Sequence, residues 1–469
     1  MILNTIYTKL LHLILLCSII VLNSNASGQS ELQHALEKLV SDPVLQGASI
    51  GIHIQEFDSR ETVASHHPDL SLIPASTMKV LTTQTALAVF GKDHRFETHL
   101  ILEGNILPNG DLEGNVLIRG FGDPTLGSSH FDKQAFLKDW CQAIADAGVK
   151  NILGGVRVET NFFEGPHIHG STSIEDGGNY YAAGVHGINV YDNQFSVFLT
   201  SDEVAGNPTF VSEVKPQIPG LMLFNKVLSS DSKRDNAYIH GHPLIAQRTI
   251  YGTIPKGRKR FEIKGSVPDP AILLSQEMVS AIENQGIPMK GVVLEKAIGT
   301  REMLIVKQQS PTLEEIVNVT NRKSVNLFAM ALLMHLGKEV KGDGSLQSGA
   351  EVVKSFWKDK GIDVRGMEVK DGSGLSRANA ITARQLAEVS GFLSKETEQA
   401  FVQSLPPRGG RSNLIAKSGY VERVRAYTGR TTLNDGRRVS FAIIVNHYSC
   451  TPAQAKAPIM DFLIGITKK

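Results

Sequence analysis

The sequence predicts an α/β protein of the α+β kind. Its antiparallel sheet carries helices on its faces and is interrupted along the chain by β-rich inserted domains. Three observations lead there. Residues Ser49 to Phe57 alternate, with Ile50, Ile52 and Ile54 on one face, the period of a half-buried strand. Near the other end, Leu414–Tyr420, Arg423–Thr432 and Val439–Asn446 have strand character, and Asn434-Asp435-Gly436 is a hairpin turn between the last two. Between these ends, from about His94 to residue 300, short β-like runs alternate with Gly, Pro, Asn and Asp turns.

The bulk composition agrees. A chain of 469 residues is too long for one ordinary core, so two or three domains are expected. It is 41% hydrophobic and 20% charged, as in a soluble globular protein. The net charge of +1 gives no argument for nucleic acid or an anionic membrane as a partner. There is no phosphate-binding loop and no CxxC pair, and no cofactor or metal is called for.

Taken in order, the chain opens with Lys9 and an apolar run from Leu10 to Leu22. Ser24-Asn25-Ala26 then suits cleavage after Ala26, so residues 1–26 are read as a signal peptide and the protein as exported. The run is about 13 residues, against roughly 20 for a membrane span. Cys17 belongs to that run, because Leu16 before it is too large for lipoprotein processing. Glu31–Val40 is a helix with Leu32, Leu36, Leu39 and Val40 on its apolar face, stopped by Pro43. After the strand at Ser49, Pro74 precedes a core helix, Ser76–Phe90, that ends at Gly91. Glu97–Leu102, Asn115–Arg119, Val156–Glu159 and Phe195–Thr200 are strands, with turns at Pro108-Asn109-Gly110 and Gly122-Asp123-Pro124. Helical character returns at Thr312–Asn321 and Ser324–Gly337, and a helix Pro452–Ile466 closes the chain. The expected divisions are residues 27–95 and 301–469 for the sheet domain and 96–300 for the β-rich insert.

Chemistry concentrates in short strings. In Ser76-Thr77-Met78-Lys79 the Ser and Lys side chains lie one helical turn apart on one face, near a helix N-terminus that favours negative charge. A Ser hydroxyl is a poor nucleophile until a neighbour takes its proton. Lys79 can do so if burial and nearby positive charge lower its pKa. Alone, S-x-x-K is weak: it occurs by chance about twice in a chain this long. Ser324-Val325-Asn326 leads into an apolar helix, where Ser324 would serve equally as an N-cap. Lys417-Ser418-Gly419 lies on a strand, and a glycine there suggests that another backbone approaches closely, such as a docking substrate peptide. Lys417 and the Ser418 hydroxyl would hold a carboxylate. The N–H groups of Ser76 and Tyr420 could form an oxyanion hole.

The three strings in this order match the active site of serine acyl-transferases, and the whole mature chain resembles the low-molecular-mass, class C penicillin-binding proteins. Pro74-Ala75-Ser76-Thr77-Met78-Lys79, Gly122-Asp123-Pro124-Thr125-Leu126, Tyr180-Tyr181-Ala182-Ala183-Gly184, Asn189-Val190-Tyr191-Asp192-Asn193 and Asp371-Gly372-Ser373-Gly374-Leu375-Ser376-Arg377 carry the resemblance. It implies a penicillin-recognising, serine transpeptidase-like domain split by inserted domains. It also implies a periplasmic D-Ala-D-Ala carboxypeptidase or endopeptidase of peptidoglycan, acylated by β-lactams. By position, Ser76 is the nucleophile, Lys79 the base and Ser324 the proton relay, while Asn326, Lys417 and Ser418 hold the substrate. Asp176, with Arg377 nearby, is the candidate for a pocket that takes the amino end of a diaminopimelate side chain. Two departures stand out: Ser418 where Thr is usual, and Tyr420 after Gly419 where a small hydroxylated residue is typical.

Two alternatives compete with this reading. A serine β-lactamase would need a residue to activate deacylating water, and none can be assigned. A non-catalytic cell-wall binding protein is suggested by Ser418 and Tyr420 but opposed by the intact Ser76, Lys79, Ser324, Asn326 and Lys417. His167 with His169, and His240 with His242, lie in turn-rich segments without a third metal ligand and are read as loop histidines. Cys141 and Cys450 could pair or remain buried thiols. The terminal helix is expected to pack on the sheet rather than anchor to a membrane.

Overall fold

The computed structural model describes residues 31–131, 135–165, 167–293, 301–392 and 395–468. The signal peptide expected in residues 1–26, and Cys17 with it, lie outside the described residues. The chain divides into two compact units. The first comprises residues up to Leu81, Trp357–Glu368 and the chain from Ala378 onward; the second comprises Thr82–Phe356 and Val369–Arg377.

The first unit is built on a six-stranded antiparallel sheet. Its order is Pro407–Arg408, Arg411–Val421, Val424–Thr432, Arg438–Asn446, Ser49–Glu56, Thr62–His66. Arg438–Asn446 is central and buried along nearly its whole length, which is why it reads as a continuous apolar run rather than an alternation. On one face Val439, Phe441, Ile443 and Val445 join Ile50, Ile52 and Ile54 in a core that also takes Leu32, Leu36 and Leu39 from the helix over 31–40. The helix Pro452–Ile466 adds Ala455, Ile459, Phe462, Leu463 and Ile466 to the same core. Its apolar stripe is therefore covered by the sheet; burying each large side chain contributes roughly 1.5–3 kcal/mol. The helix starts as its sequence dictates: Thr451 and Gln454 cap one another's backbone, and Pro452 occupies the first turn. On the opposite face lies the helix Ala383–Gly391, where Ser390 and Thr428 share a hydrogen bond of 2.7 Å.

In the second unit, Glu302–Gln309, Glu97–Ile106, Asp111–Gly120 and Asn151–Ile152 form one sheet, with Val156–Glu159 also pairing to Asp111–Gly120. The Pro108-Asn109-Gly110 turn joins two of these strands, as read. Smaller sheets follow, among them Phe261–Ser266, Gln194–Thr200 and Phe210–Lys215. The unit also holds two helices where the sequence reading singled out only strands. Phe136–Asp146 turns Phe136, Trp140, Cys141 and Ile144 into the core. Pro270–Asn284 is capped by the Asp269 carboxylate, which accepts from the N–H groups of Ala271 and Ile272. The helices Leu313–Lys323 and Asn326–Lys341 follow; Thr312 and Glu315 form the capping box of the first.

Two local expectations need correction. The core helix runs from Met78 to Phe90, and Ser76 lies before it in a 3₁₀ turn, Ala75–Thr77. Ser324 is not an N-cap. It ends Leu313–Lys323 in the left-handed conformation, φ +60°, and the residue at the N-cap of the next helix is Val325. Between the two alternatives left open for Cys141 and Cys450, both are free thiols, Cys141 buried and Cys450 half-buried.

Candidate active site

Ser76 sits half-buried on a turn whose neighbours are buried. The turn is fixed by the Thr77 hydroxyl, which donates to the Pro74 carbonyl at 2.7 Å. Ala75 is held at φ +47°, a conformation that costs a non-glycine residue of order 1–3 kcal/mol. Lys79 follows one turn later, fully buried, and its Nζ donates to Ser76 Oγ at 3.1 Å. A second positive charge lies near it. The second charge is Lys417, also buried. Burial pushes the Lys417 ammonium well below the usual lysine range, and the Lys79 and Arg408 charges add to that effect.

Lys417, Ser418, Gly419 and Tyr420 lie on Arg411–Val421, paired on one side with Val424–Thr432. On its other side the strand is covered only as far as Ala416, whose N–H donates to Pro406 O and whose carbonyl accepts from Arg408 Nε. Alternate residues of a strand direct their backbone groups to the same side. Ser418 and Tyr420 therefore present theirs to the edge that no strand covers among the described residues. Lys417 Nζ donates to the Ser418 carbonyl at 2.9 Å. The Ser418 hydroxyl accepts from Arg408 Nη2 at 3.0 Å. Gly419 is where another backbone comes close, but that backbone is the protein's own. A Cβ at 419 would lie 2.6 Å from Pro74 O and 3.1 Å from Ser76 N. The exposed Tyr420 ring stacks under the Arg425 guanidinium, 4.4 Å from the ring centroid.

Ser324, Asn326, Asp176 and Arg377 belong to the second unit. Asn326 opens the helix Asn326–Lys341, and its Nδ2 donates to the Tyr181 carbonyl at 2.7 Å. The Tyr181 hydroxyl in turn donates to Asp176 Oδ1 at 2.8 Å. Burial, then the Asp176 charge, push the Tyr181 phenol far above its usual range, so it stays protonated and keeps donating. Asp176 is thereby tied to Asn326 through one residue. Asp371 orders its loop by accepting from the N–H groups of Ser373, Gly374 and Ser376. The loop lies hard against the helix Asn326–Lys341: a Cβ at Gly372 would come within 2.5 Å of Ala329 O. Ser376 bonds Ser171, and Arg377 is exposed at the loop's end.

The sequence reading assigned no role to Tyr181 or Arg408. Tyr181 was visible only as part of a family-like string. Arg408 had a faint signal: Pro-Arg-Gly-Gly immediately before the motif strand marks a turn, which lays residue 408 back along that strand. The loop histidines have ordinary partners. His167 stacks on His186, His169 Nδ1 meets Ser171 Oγ, His240 packs edge-on against Tyr251, and His242 Nδ1 accepts from Leu244 N–H.

Residues 32–466 match the family described as D-Ala-D-Ala carboxypeptidase 3 (S13). A D-alanyl-D-alanine carboxypeptidase of Actinomadura sp. (strain R39) is 26% identical over 457 residues, covering 91% of this chain and 83% of that protein. The D-alanyl-D-alanine carboxypeptidase DacB of Haemophilus influenzae is 25% identical over 441 residues, covering 89% and 90%. The crystal structure of penicillin binding protein 4 (dacB) from Haemophilus influenzae superposes with a TM-score of 0.77 at 23% identity, over 90% of this chain and 96% of that one. A complex of the same protein with a β-lactam gives 0.74. The fold is thus a penicillin-recognising serine hydrolase fold, as the resemblance implied.

Proposed function

Because the chain belongs to the D-Ala-D-Ala carboxypeptidase 3 (S13) family, we propose that it is a serine D-Ala-D-Ala peptidase acting on bacterial peptidoglycan stem peptides. Ser76 is its nucleophile, and β-lactams acylate it there. The observation that carries this reading is the 3.1 Å contact between the Ser76 hydroxyl and the buried Lys79.

Ser76 Oγ attacks the carbonyl of the penultimate D-Ala as its proton passes to Lys79. The oxygen of that carbonyl takes negative charge, which the N–H groups of Ser76 and Tyr420 stabilise. The terminal D-Ala leaves as an amine, which must gain a proton. By its motif, Ser324 relays that proton, and Asn326 holds the substrate amide. Water then cleaves the ester on Ser76. The substrate adds along the uncovered edge of Arg411–Val421, with Lys417 and Ser418 at its carboxylate. Asp176 and Arg377 form the candidate pocket for the amino end of the diaminopimelate side chain. The apolar leader in residues 1–26 supports export to the periplasm. Among the described residues, no helix is long and apolar enough to cross a membrane.

Intact-mass spectrometry after adding benzylpenicillin, with Ser76→Ala beside the wild type, tests this. A persistent adduct on the wild type only, together with D-Ala release from a pentapeptide stem, is expected. A transient adduct with accumulating hydrolysed drug would mark a β-lactamase. No adduct and no release would mark a binding protein without turnover. Turnover retained in Ser76→Ala would remove Ser76 as nucleophile.

A further inference from the structure

Beside the lysine and serine of the third motif stands a cation that the motif does not include. Pro407–Arg408 is a short strand paired to Arg411–Val421 with an irregular register, Pro407 opposite Ile415 and Arg408 opposite Arg411. Such a bulge re-aims a side chain. Here it sends Arg408 back along the edge of the strand, where Nε donates to the Ala416 carbonyl at 2.9 Å and Nη2 to the Ser418 hydroxyl at 3.0 Å.

Two features of this arrangement call for an anion. The guanidinium is half-buried, and among the described residues it has no acidic partner and its Nη1 has no hydrogen-bond partner. A cation in that state is stabilised when a carboxylate arrives, and a planar guanidinium suits a carboxylate better than any other side chain. The Ser418 hydroxyl is also primed. It accepts a bond from Arg408, so its own proton remains to be donated, and no acceptor for it is present among the described residues. Arg408 Nη1 and Ser418 O–H therefore lie side by side as donors at the edge where Lys417 Nζ meets the Ser418 carbonyl.

We propose that Arg408 is a specificity-determining residue that, with Ser418, binds the free C-terminal carboxylate of the substrate. This rests on the peptidase reading given above and deepens it: the enzyme selects peptides ending in an unblocked carboxylate through a guanidinium supplied from outside the Lys-Ser-Gly motif. The hydroxyl at 418 then works as half of an Arg–Ser pair.

The test is the ratio of kcat/KM for an N-acylated D-Ala-D-Ala peptide to that for its C-terminal amide, measured in wild type, Arg408→Met and Arg408→Lys. A charge-assisted contact made to only one of the two substrates sets the scale. The expected result is a fall of about 10- to 100-fold in the ratio for Arg408→Met, carried mainly by KM, with Arg408→Lys recovering part of it. A loss of activity equal on both substrates, or an unchanged ratio, overturns the proposal. If Arg408→Met does not fold, the ratio in Arg408→Gln decides on the same criterion. A wild type that forms no benzylpenicillin adduct and cleaves neither peptide overturns the peptidase reading, and this proposal falls with it.

Discussion

At the scale of single residues, Gly419 shows how closely the motif strand and the nucleophile turn are fitted. A methyl group at that position would meet the Pro74 carbonyl at 2.6 Å and Ser76 N at 3.1 Å, and both are backbone. Backbone cannot swing aside as a side-chain tip can, so Gly419→Ala must move either the strand or the Ser76 turn. A displacement of about 1 Å in a catalytic constellation costs on the order of 10²-fold in rate, and overpacking of this kind costs about 1–3 kcal/mol in stability. We expect benzylpenicillin acylation of Gly419→Ala to slow by at least about tenfold, with a lowered denaturant midpoint. An unchanged acylation rate would show that the contact has no bearing on the chemistry. The sequence anticipated that a backbone approaches Gly419, because a glycine inside a strand needs a reason. That the approaching backbone is Pro74–Ser76 could not be read, since it depends on a contact between positions far apart in the chain.

Among the elements, the legible ones carry their own boundaries. Pro452–Ile466 is legible to the residue, because Thr451, Gln454 and Pro452 mark its start and its apolar stripe matches one face. The helices Phe136–Asp146 and Pro270–Asn284 of the second unit escape the sequence for different reasons. Phe136–Asp146 has Ala135 at its N-cap, with no side-chain cap to announce it. Pro270–Asn284 does have Asp269 and Pro270, but the turn-rich strands around it hid the change of period. A serine before an apolar helix looks like a cap, which is the alternative that Ser324 offers in the sequence. Its left-handed backbone instead makes it the link between two helices. This separates shape from chemistry at one position. Replacement by glycine relieves the conformational cost and removes the hydroxyl, whereas alanine removes the hydroxyl and keeps the cost, about 1 kcal/mol or more. Ser324→Gly should therefore melt at a higher temperature than Ser324→Ala, while both lose D-Ala release to a similar degree. If the glycine variant keeps turnover, the hydroxyl is not the proton relay.

Across the whole molecule, buried histidines tie stability to pH. Burial holds His53 of the first unit at about 4, and His186 and His335 of the second at about 3. His335 is enclosed by Phe96, Phe162 and Phe163, and its Nε2 bonds the Gly122 carbonyl at 3.1 Å. Each of these histidines takes up a proton near pH 6.5 when the chain unfolds, but only at much lower pH while it is folded. Between those values the unfolded state binds more protons, so stability rises with pH and is lost as pH falls below about 6.5. The loss from each group approaches about 1.4 kcal/mol per pH unit and ends near its folded pKa. Salt-bridged carboxylates such as Glu159 are pulled below their usual range by arginine partners, after burial's opposing push, so their loss of stability begins at lower pH. Glu388, pushed up by burial, works in the opposite direction and offsets part of the effect. Denaturant unfolding at pH 7, 6 and 5, at constant ionic strength, should therefore give stability falling toward pH 5. Replacing His335 by methionine should flatten that slope by up to about one proton, whatever it costs in stability at pH 7. An identical slope in His335→Met would mean that His335 is protonated as readily in the folded protein as in the unfolded chain, and that its aromatic enclosure does not exclude the charged form.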